Sequence, residues 1–364
     1  MAQAGSLVIR SWQAVGTGQP LAQATRSLDL STLAPDEVVI EVAGCGVCHT
    51  DLGFLYDGVR TGRPFPLTLG HEIAGRVVHG GARARFLVGK AVVVPAVIPC
   101  GVCDLCSRGR GAICRAQIFP GSDVDGGFAS HVVVPARGLC PVDEVALARV
   151  GLQLADVSVL ADAISTAYQS VVRSGLREGD VAVVVGAGGV GCFAVQIAAA
   201  LGAHVIALDI DEARLRLASE HGASVTLNCR GLDSADIKKR LTAIALEREW
   251  PLLCWKLFET SGRAAGQTLA FGLLGFGAML MIVGFTRDKI EVRLASVMAF
   301  DATVQGNWGC LPALYPAALA LVLEGKVRVA PFVEQRPLSR INDTFATLHE
   351  TGLPRRPVLV PDFA

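Results

Sequence analysis

Net charge and any long apolar run are what this 364-residue chain lacks. Lysine plus arginine equals aspartate plus glutamate, 33 against 33, which argues against a general nucleic-acid or membrane-surface role. A local basic patch for an anionic ligand stays compatible with that balance. The first residues do not show the basic, hydrophobic, small-residue succession of a signal peptide, so a cytoplasmic protein is expected. The most apolar runs, Val181–Val185 and residues 278–285, are short and punctuated by glycine, so neither would span a bilayer. A chain of this length without a secretion signal is also not expected to build a disulfide framework, although it holds eleven cysteines.

What is present is core material. Apolar residues make up 51% of the chain and charged residues 18%, and the length suits two domains better than one. The first hundred residues read as short strands between turns: residues 38–42, 73–78 and 91–94 are β-branched runs bounded by Gly or Pro. Their spacing predicts a small antiparallel β-domain or barrel. Between the first two runs lies Gly44-Cys45-Gly46-Val47-Cys48-His49-Thr50-Asp51, answered by Gly70-His71-Glu72. A thiolate, an imidazole, a hydroxyl and carboxylates so placed suggest a zinc site with a proton-handling hydroxyl, since zinc ligands need carboxylate neighbours to orient them. Cys48 taken alone reads as well as a small core residue.

Cys100, Cys103, Cys106 and Cys114 fall within fifteen residues. Four thiolates in one loop satisfy the closed tetrahedral coordination of a structural zinc. An iron–sulfur cluster also takes four cysteines, but Arg115 follows the last one where bacterial ferredoxin runs carry Pro, and no second cluster motif follows. The remaining cysteines are scattered, and most are expected to be packing residues. Farther on, residues 159–173 read as a helix-like segment in which Asp162 keeps apolar and small company. That is costly for a carboxylate unless it is paired or metal-bound; helix capping is the other reading.

The character then changes. Residues 180–185 form an apolar strand that leads into Gly186-Ala187-Gly188-Gly189-Val190-Gly191, a helical stretch from 193 to 201, and a second strand over 204–209. This is a βαβ dinucleotide fingerprint in its required setting, with glycines for a tight turn and a helix N-terminus for pyrophosphate. Asp209 stands twenty-three residues after the first glycine, placed to bind the adenosine ribose hydroxyls and to repel a 2′-phosphate, which predicts NAD over NADP. Strands and helices alternate up to residue 285 as a doubly wound sheet requires, with later strands expected over 252–259 and 278–283 and a solvated helix over 238–249.

Residues 44–51, Gly70-His71-Glu72, the four-cysteine lobe, Asp162 and residues 186–191 occur together and in this order. The chain so resembles the zinc-dependent medium-chain alcohol dehydrogenases over essentially its whole length. The resemblance implies a GroES-like β-rich catalytic domain (1–162 and 308–364, its structural zinc lobe at 100–114) and a Rossmann NAD-binding domain of doubly wound parallel sheet (163–307). It implies two zinc ions per chain. Cys48, His71 and Asp162 match the catalytic zinc ligands, with Asp162 where many members have Cys. Glu72 and Asp51 match supporting or exchanging carboxylates, and Thr50 the hydroxyl that receives the substrate proton. Gly186, Gly188, Gly189, Val190, Gly191, Asp209 and Arg214 match cofactor contacts. His49 and Arg356 match basic pyrophosphate contacts, and Val283 and residues 305–307 the carboxamide end. Arg356 otherwise reads as a surface turn. Gly53 stands where well-known members carry a relay histidine. The resemblance implies that zinc would supply Lewis acidity toward the alcohol oxygen and the nicotinamide would take the hydride, with Thr50 passing the proton through the cofactor ribose.

At a finer level, residues 114–121, 126–128 and 134–141 are similar to 6-hydroxycyclohex-1-ene-1-carbonyl-CoA dehydrogenases of anaerobic benzoyl-CoA degradation. That resemblance implies a cyclic allylic secondary alcohol carried as an acyl-CoA thioester, with Arg60 and Arg63 as candidates for the CoA phosphates or else as ordinary solvated arginines. The conjugated product raises a further expectation, enone C=C reduction in reverse. A general secondary-alcohol dehydrogenase without a CoA requirement is the enzymatic alternative, and a non-catalytic NAD- and zinc-binding protein the alternative of another class. The expected partners are a small-molecule alcohol or acyl-CoA, with no nucleic acid and no membrane, and the expected assembly a homodimer or homotetramer.

Overall fold

A computed structural model of the protein describes residues 5–363. In chain order the strands are β1 (Ser6–Ala14), β2 (Ala22–Asp29), β3 (Glu37–Gly46), β4 (Leu67–Thr68), β5 (Glu72–Gly80), β6 (Ala91–Val94), β7 (His131–Pro135) and β8 (Cys140–Pro141). They continue with β9 (Val181–Val185), β10 (His204–Asp209), β11 (Val225–Asn228), β12 (Lys256–Glu259), β13 (Met279–Ile282), β14 (Thr303–Gly306), β15 (Val333–Pro337) and β16 (Arg356–Val360). The chain divides into two compact units, Met1–Asp162 with Gly309–Leu323 and Val329–Ala364, and Ala163–Trp308 with Glu324–Arg328.

The first unit is β-rich. One sheet runs β15-β16-β3-β5-β6-β8 with β7 also on β3, and a second runs β2-β1-β4. Strand β3 organises it. One edge pairs antiparallel with β5 along most of its length, while the other takes β7 at residues 37–41 and β16 at residues 45–46. Register shifts between Val39 and Ile40 and between Val42 and Gly44 bend the strand, as bulges do. Val38, Ile40, Val42, Ile73, Val92 and Phe128 point into one apolar core with Phe345 and Leu359 of the C-terminal segment. The antiparallel β-domain read from the sequence is therefore present, with its last strands supplied from the far end of the chain.

The second unit is one parallel sheet in the order β11-β10-β9-β12-β13-β14, with helices between consecutive strands. Every residue of β9 is buried, as the continuous run of Val and Ala dictates for a central parallel strand. Strand order reverses between β9 and β12, so the crevice at the carboxyl ends of these two strands is where such sheets take ligands.

Several element boundaries differ from the sequence reading. The strand expected over 252–259 is confined to β12, because residues 252–255 turn through Cys254 at a φ of 60°, with Leu253 exposed. The strand expected over 278–283 is β13. The helix expected over 238–249 is Ser234–Glu247, capped by Asp233, whose side chain accepts from Asp236 N–H, and it buries Ile237, Leu241 and Ala245 at four-residue spacing. Segment 159–173 is not one helix: a 3-10 turn over Asp156–Ala161 and a helix over Ala163–Arg173 meet at Asp162. Trp308 and Glu324–Arg328 group with the second unit, whereas the sequence reading put 308–364 with the first. Gln196 bonds both main-chain groups of Arg328, and Gln169 donates to the Trp308 carbonyl. No helix among the described residues is long and apolar enough to cross a membrane, and all eleven cysteines are free thiols.

Candidate metal centre and cofactor loop

Strand β3 ends at Gly46, two residues before Cys48, and β5 begins at Glu72. Their antiparallel pairing sets Gly46 opposite Glu72, so the two sequence motifs meet across the ladder. A side chain at position 46 would not fit there, since its Cβ would stand 2.1 Å from Glu72 Oε2. Asp51, in the first turn of the helix His49–Leu55, ties the loops together. It accepts from Cys48 N–H at 3.0 Å and from Gly70 N–H at 3.1 Å, and it faces His71 Nδ1 at 3.3 Å. This contact fixes the imidazole and leaves Nε2 aimed away from Asp51, the usual arrangement for a metal-ligating histidine.

Asp162 reaches the same point. The break between the 3-10 turn and the following helix puts it in an irregular conformation, φ −137° and ψ −65°, and its Oδ2 lies 3.5 Å from His71 Nε2 and 3.7 Å from Cys48 Sγ. Donor atoms of Cys48, His71, Glu72 and Asp162 all fall within 4.8 Å of one another. His71 Nε2 is buried and makes no hydrogen bond among the described residues, an orphan that a bound cation would resolve. Thr50 is exposed, with Oγ1 3.7 Å from Cys48 Sγ, so a hydroxyl stands at the outer side of the donor set. Phe119 packs against His71, its ring 4.9 Å from the imidazole.

The electrostatics point the same way. Burial disfavours charge on His71, yet Asp51, then the contacts to Asp162 and Cys48, push its pKa well above the ordinary imidazole value. Burial pushes Glu72 up to about 7, against the opposing charge of Arg356. The His71 shift reports the negative charge that Asp51 and Asp162 set around the ring, which a bound dication would offset. Glu72 itself accepts from Arg356 Nη1 at 2.5 Å, an ion pair with both side chains buried. The buried pair replaces the surface-turn reading of Arg356. Sequence reasoning missed this pairing and the triple contact of Asp51, because neither is written in local spacing.

The four-cysteine lobe stands apart from this centre in sequence and in chemistry. Sulfur–sulfur distances are 3.5 Å for Cys103–Cys106 and Cys100–Cys114, 3.7 Å for Cys103–Cys114 and 3.9 Å for Cys100–Cys106. A tetrahedron with zinc–sulfur bonds of about 2.3 Å has edges of about 3.8 Å, so the thiols already describe that solid. Backbone N–H groups of Val102 and Cys103 lower Cys100 to about 6, while desolvation and the neighbouring thiols push Cys106 up to about 12. Four adjacent thiols cannot all ionise without a cation among them.

In the second unit the turn after β9 carries Gly186, Gly188, Gly189 and Val190 into the helix Gly191–Ala200. A Cβ at position 191 would lie 1.8 Å from the Gly186 carbonyl oxygen and 2.6 Å from Thr260 Oγ1. The mouth of the turn is open by contrast, as nothing comes nearer than 3.6 Å to a Cβ built on Gly188, where the closest atom is Arg214 Nη1. The first N–H groups of such a helix lack intrahelical acceptors and suit an anion. Asp209 ends β10, accepts from Ala187, Ile210 and Asp211 N–H at 2.8, 2.7 and 3.0 Å, and lies 3.9 Å from Arg214 Nη1. Val283 follows β13 and donates its N–H to the Glu259 carbonyl. His49 is exposed at the first position of its helix.

Comparison with known proteins agrees with this geometry. Residues 34–144 match the alcohol dehydrogenase GroES-like domain and residues 189–324 the zinc-binding dehydrogenase domain. An alcohol dehydrogenase of Geobacillus stearothermophilus is 28% identical over 345 residues, 92% of this chain and 94% of the relative. An L-threonine 3-dehydrogenase of Streptomyces avermitilis is 30% identical over 312 residues, 84% of this chain and 86% of the relative. Among solved structures, galactitol-1-phosphate dehydrogenase from Escherichia coli superposes with a TM-score of 0.82 at 26% identity, covering 97% of this chain and all, 100%, of that one. A zinc-binding dehydrogenase of Sinorhizobium meliloti bound to NADP, 23% identical with a TM-score of 0.83 over 98% of this chain and 100% of its own, shares the fold. With a β-rich unit carrying the donor cluster and a doubly wound parallel sheet carrying the glycine turn, this chain belongs to the zinc-dependent medium-chain alcohol dehydrogenases, oxidoreductases that act on CH–OH groups.

Proposed function

We propose that the chain is a zinc- and NAD-dependent dehydrogenase that oxidises a cyclic secondary alcohol to the ketone. The observation that carries this reading is the donor set of buried Cys48 and His71 with half-buried Asp162, and the exposed Thr50 hydroxyl beside it. Bound there, zinc supplies Lewis acidity toward the alcohol oxygen, and a nicotinamide cofactor supplies the hydride acceptor. The chain's own residues do the rest. Asp51 holds the His71 ring, and Arg356 holds Glu72 close enough to exchange into the donor set. Thr50 accepts the proton that leaves the alcohol, so that proton and hydride depart by separate routes. Cys100, Cys103, Cys106 and Cys114 hold the structural zinc. The turn 186–191 receives pyrophosphate, Asp209 and Arg214 the adenosine ribose, and the carboxylate of Asp209 favours NAD by repelling a 2′-phosphate.

The finer reading is 6-hydroxycyclohex-1-ene-1-carbonyl-CoA as the substrate. It is supported by the loop residues 114–121, 126–128 and 134–141, and by Arg60 and Arg63, both exposed cations near the Thr50 helix. NAD reduction measured against a panel of cyclic secondary alcohols, free and as CoA thioesters, tests both levels. Turnover confined to the thioesters is the expected outcome. Equal rates on the free alcohols would favour a general secondary-alcohol dehydrogenase, and no NAD reduction with any alcohol would refute the activity. In reverse, the conjugated enone thioester with NADH is expected to give some C=C reduction; allylic alcohol as the sole product would count against that step.

A further inference from the structure

Glu259 is the last residue of β12, beside β9 where the strand order reverses. It is completely buried, 0% exposed, and no lysine or arginine pairs with it among the described residues. Its Oε1 accepts from Ser261 N–H at 2.9 Å, Gly262 N–H at 3.2 Å and Ser261 Oγ at 2.5 Å. Its main-chain carbonyl accepts from the N–H groups of Val283 and Gly284, each at 2.9 Å. One residue thus binds the turn after β12 and the turn after β13. These turns are also in close contact, since a Cβ on Gly284 would stand 2.3 Å from Gly262 N and 2.8 Å from Glu259 Oε2. That second carboxyl oxygen is buried without a hydrogen-bond partner among the described residues. A buried polar atom left unsatisfied is destabilising, so an acid is a poor choice here if the position only fills space.

Doubly wound sheets bind a dinucleotide across the reversal point, one mononucleotide on each half. Asp209 marks the β10 side for adenosine, which leaves the ends of β12 and β13 to the other half. We propose that Glu259 is a positioning residue for the nicotinamide half of the cofactor, locking the turns 260–262 and 283–284 at one spacing. The inference rests on the cofactor reading given above. Burial raises the Glu259 carboxyl pKa, against the lowering bonds from Ser261, Gly262 and Gly284, and a glutamine side chain keeps the shape and the carbonyl acceptor that the Ser261 and Gly262 groups use. Gln at this position therefore keeps the lock, and Leu removes it.

The test is binding without turnover. NADH is titrated by its fluorescence and ADP-ribose by calorimetry, on the wild-type protein, E259Q and E259L. E259L is expected to bind NADH about tenfold more weakly, about 1.4 kcal/mol, with ADP-ribose affinity unchanged and E259Q close to wild type for both ligands. Wild-type NADH affinity in E259L would overturn the proposal. So would a parallel loss of ADP-ribose affinity, which marks general damage to the unit, or an E259Q as impaired as E259L. If the wild-type protein binds zinc but neither NADH nor NADPH, the cofactor reading itself falls, a result distinct from all of these.

Discussion

Asp162→Ala removes the half-buried carboxylate from the Cys48–His71 donor set and touches nothing in the cysteine lobe. Asp162 Oδ2 lies 3.5 Å from His71 Nε2 and 3.7 Å from Cys48 Sγ, the separations of atoms that share one ion. Zinc held by four protein ligands is bound by about 10–16 kcal/mol, or about 2.5–4 kcal/mol for each ligand if shared evenly. At about 1.4 kcal/mol per factor of ten, loss of Asp162 should weaken this zinc by about 10²–10³-fold. The assay is dialysis against graded zinc–chelator buffers, followed by metal analysis per chain. The wild-type protein is expected to retain two zinc ions, and the variant one over a window of free zinc two to three decades wide, with turnover lost in that window. Asp162 also stands at the junction of a 3-10 turn and a helix, so a capping role is its competitor. Capping predicts a lower melting temperature at full metal content. If Asp162→Ala kept two zinc ions and wild-type turnover throughout the window, the ligand assignment would be wrong.

Three further outcomes follow from the geometry. Thr50→Val should lower kcat by about 10²-fold or more, the range of a lost proton-transfer group, with zinc content and NADH affinity retained, and Thr50→Ser should restore most of the rate; unchanged kcat in Thr50→Val would remove the hydroxyl from the mechanism. Gly191→Ala should abolish NADH binding and cost about 1–3 kcal/mol in a denaturant melt, since its Cβ would lie 1.8 Å from the Gly186 carbonyl oxygen, while both zinc ions stay in place. His131 in β7 is held below its ordinary pKa of 6.5 by burial, with Glu41 opposing. A depressed folded-state pKa means that the unfolded chain binds the proton first, so its contribution is complete above 6.5 and is lost as the pH falls toward the folded value. Denaturant melts across this window should show His131→Gln to be less pH-sensitive than the wild type, and identical pH slopes would refute the assignment.

Features written in short-range spacing are legible in the amino-acid sequence itself. The four cysteines lie within fifteen residues, and their sulfurs meet at tetrahedral distances. The glycine turn is flanked by runs of Val and Ala that can only be central strands, and they are. Contacts closed by the fold are not legible in this way. Glu72 and Arg356 are separated by 284 positions, and nothing near either residue announces the other; only the pairing of β16 with β3 brings them together. The boundary at Cys254 escapes for a different reason. Residues 252–255 have the apolar composition of a strand, but a positive φ at a non-glycine residue is set by tertiary context, which composition does not encode.

The two metal centres differ in where their ligands come from, and this bears on what each can do. The lobe draws all four thiols from one loop, so its geometry depends on few distant contacts, and four sulfurs close the coordination sphere. The other centre collects Cys48 from the end of β3, His71 from the start of β5 and Asp162 from a helix junction ninety-one residues later. Such a site forms only when the sheet has formed, and Asp51 and Arg356 then hold His71 and Glu72 through direct side-chain contacts. Its donors are mixed, one sulfur, one nitrogen and carboxylate oxygens, a harder set than thiolates alone. In the proposed reading Cys48, His71 and Asp162 would be the ligands, which would leave a further position to Glu72 or to whatever enters beside Thr50. A closed site would only stabilise the fold. The same ion held by three distant residues, with an exposed hydroxyl at its margin, would be placed to act on a substrate.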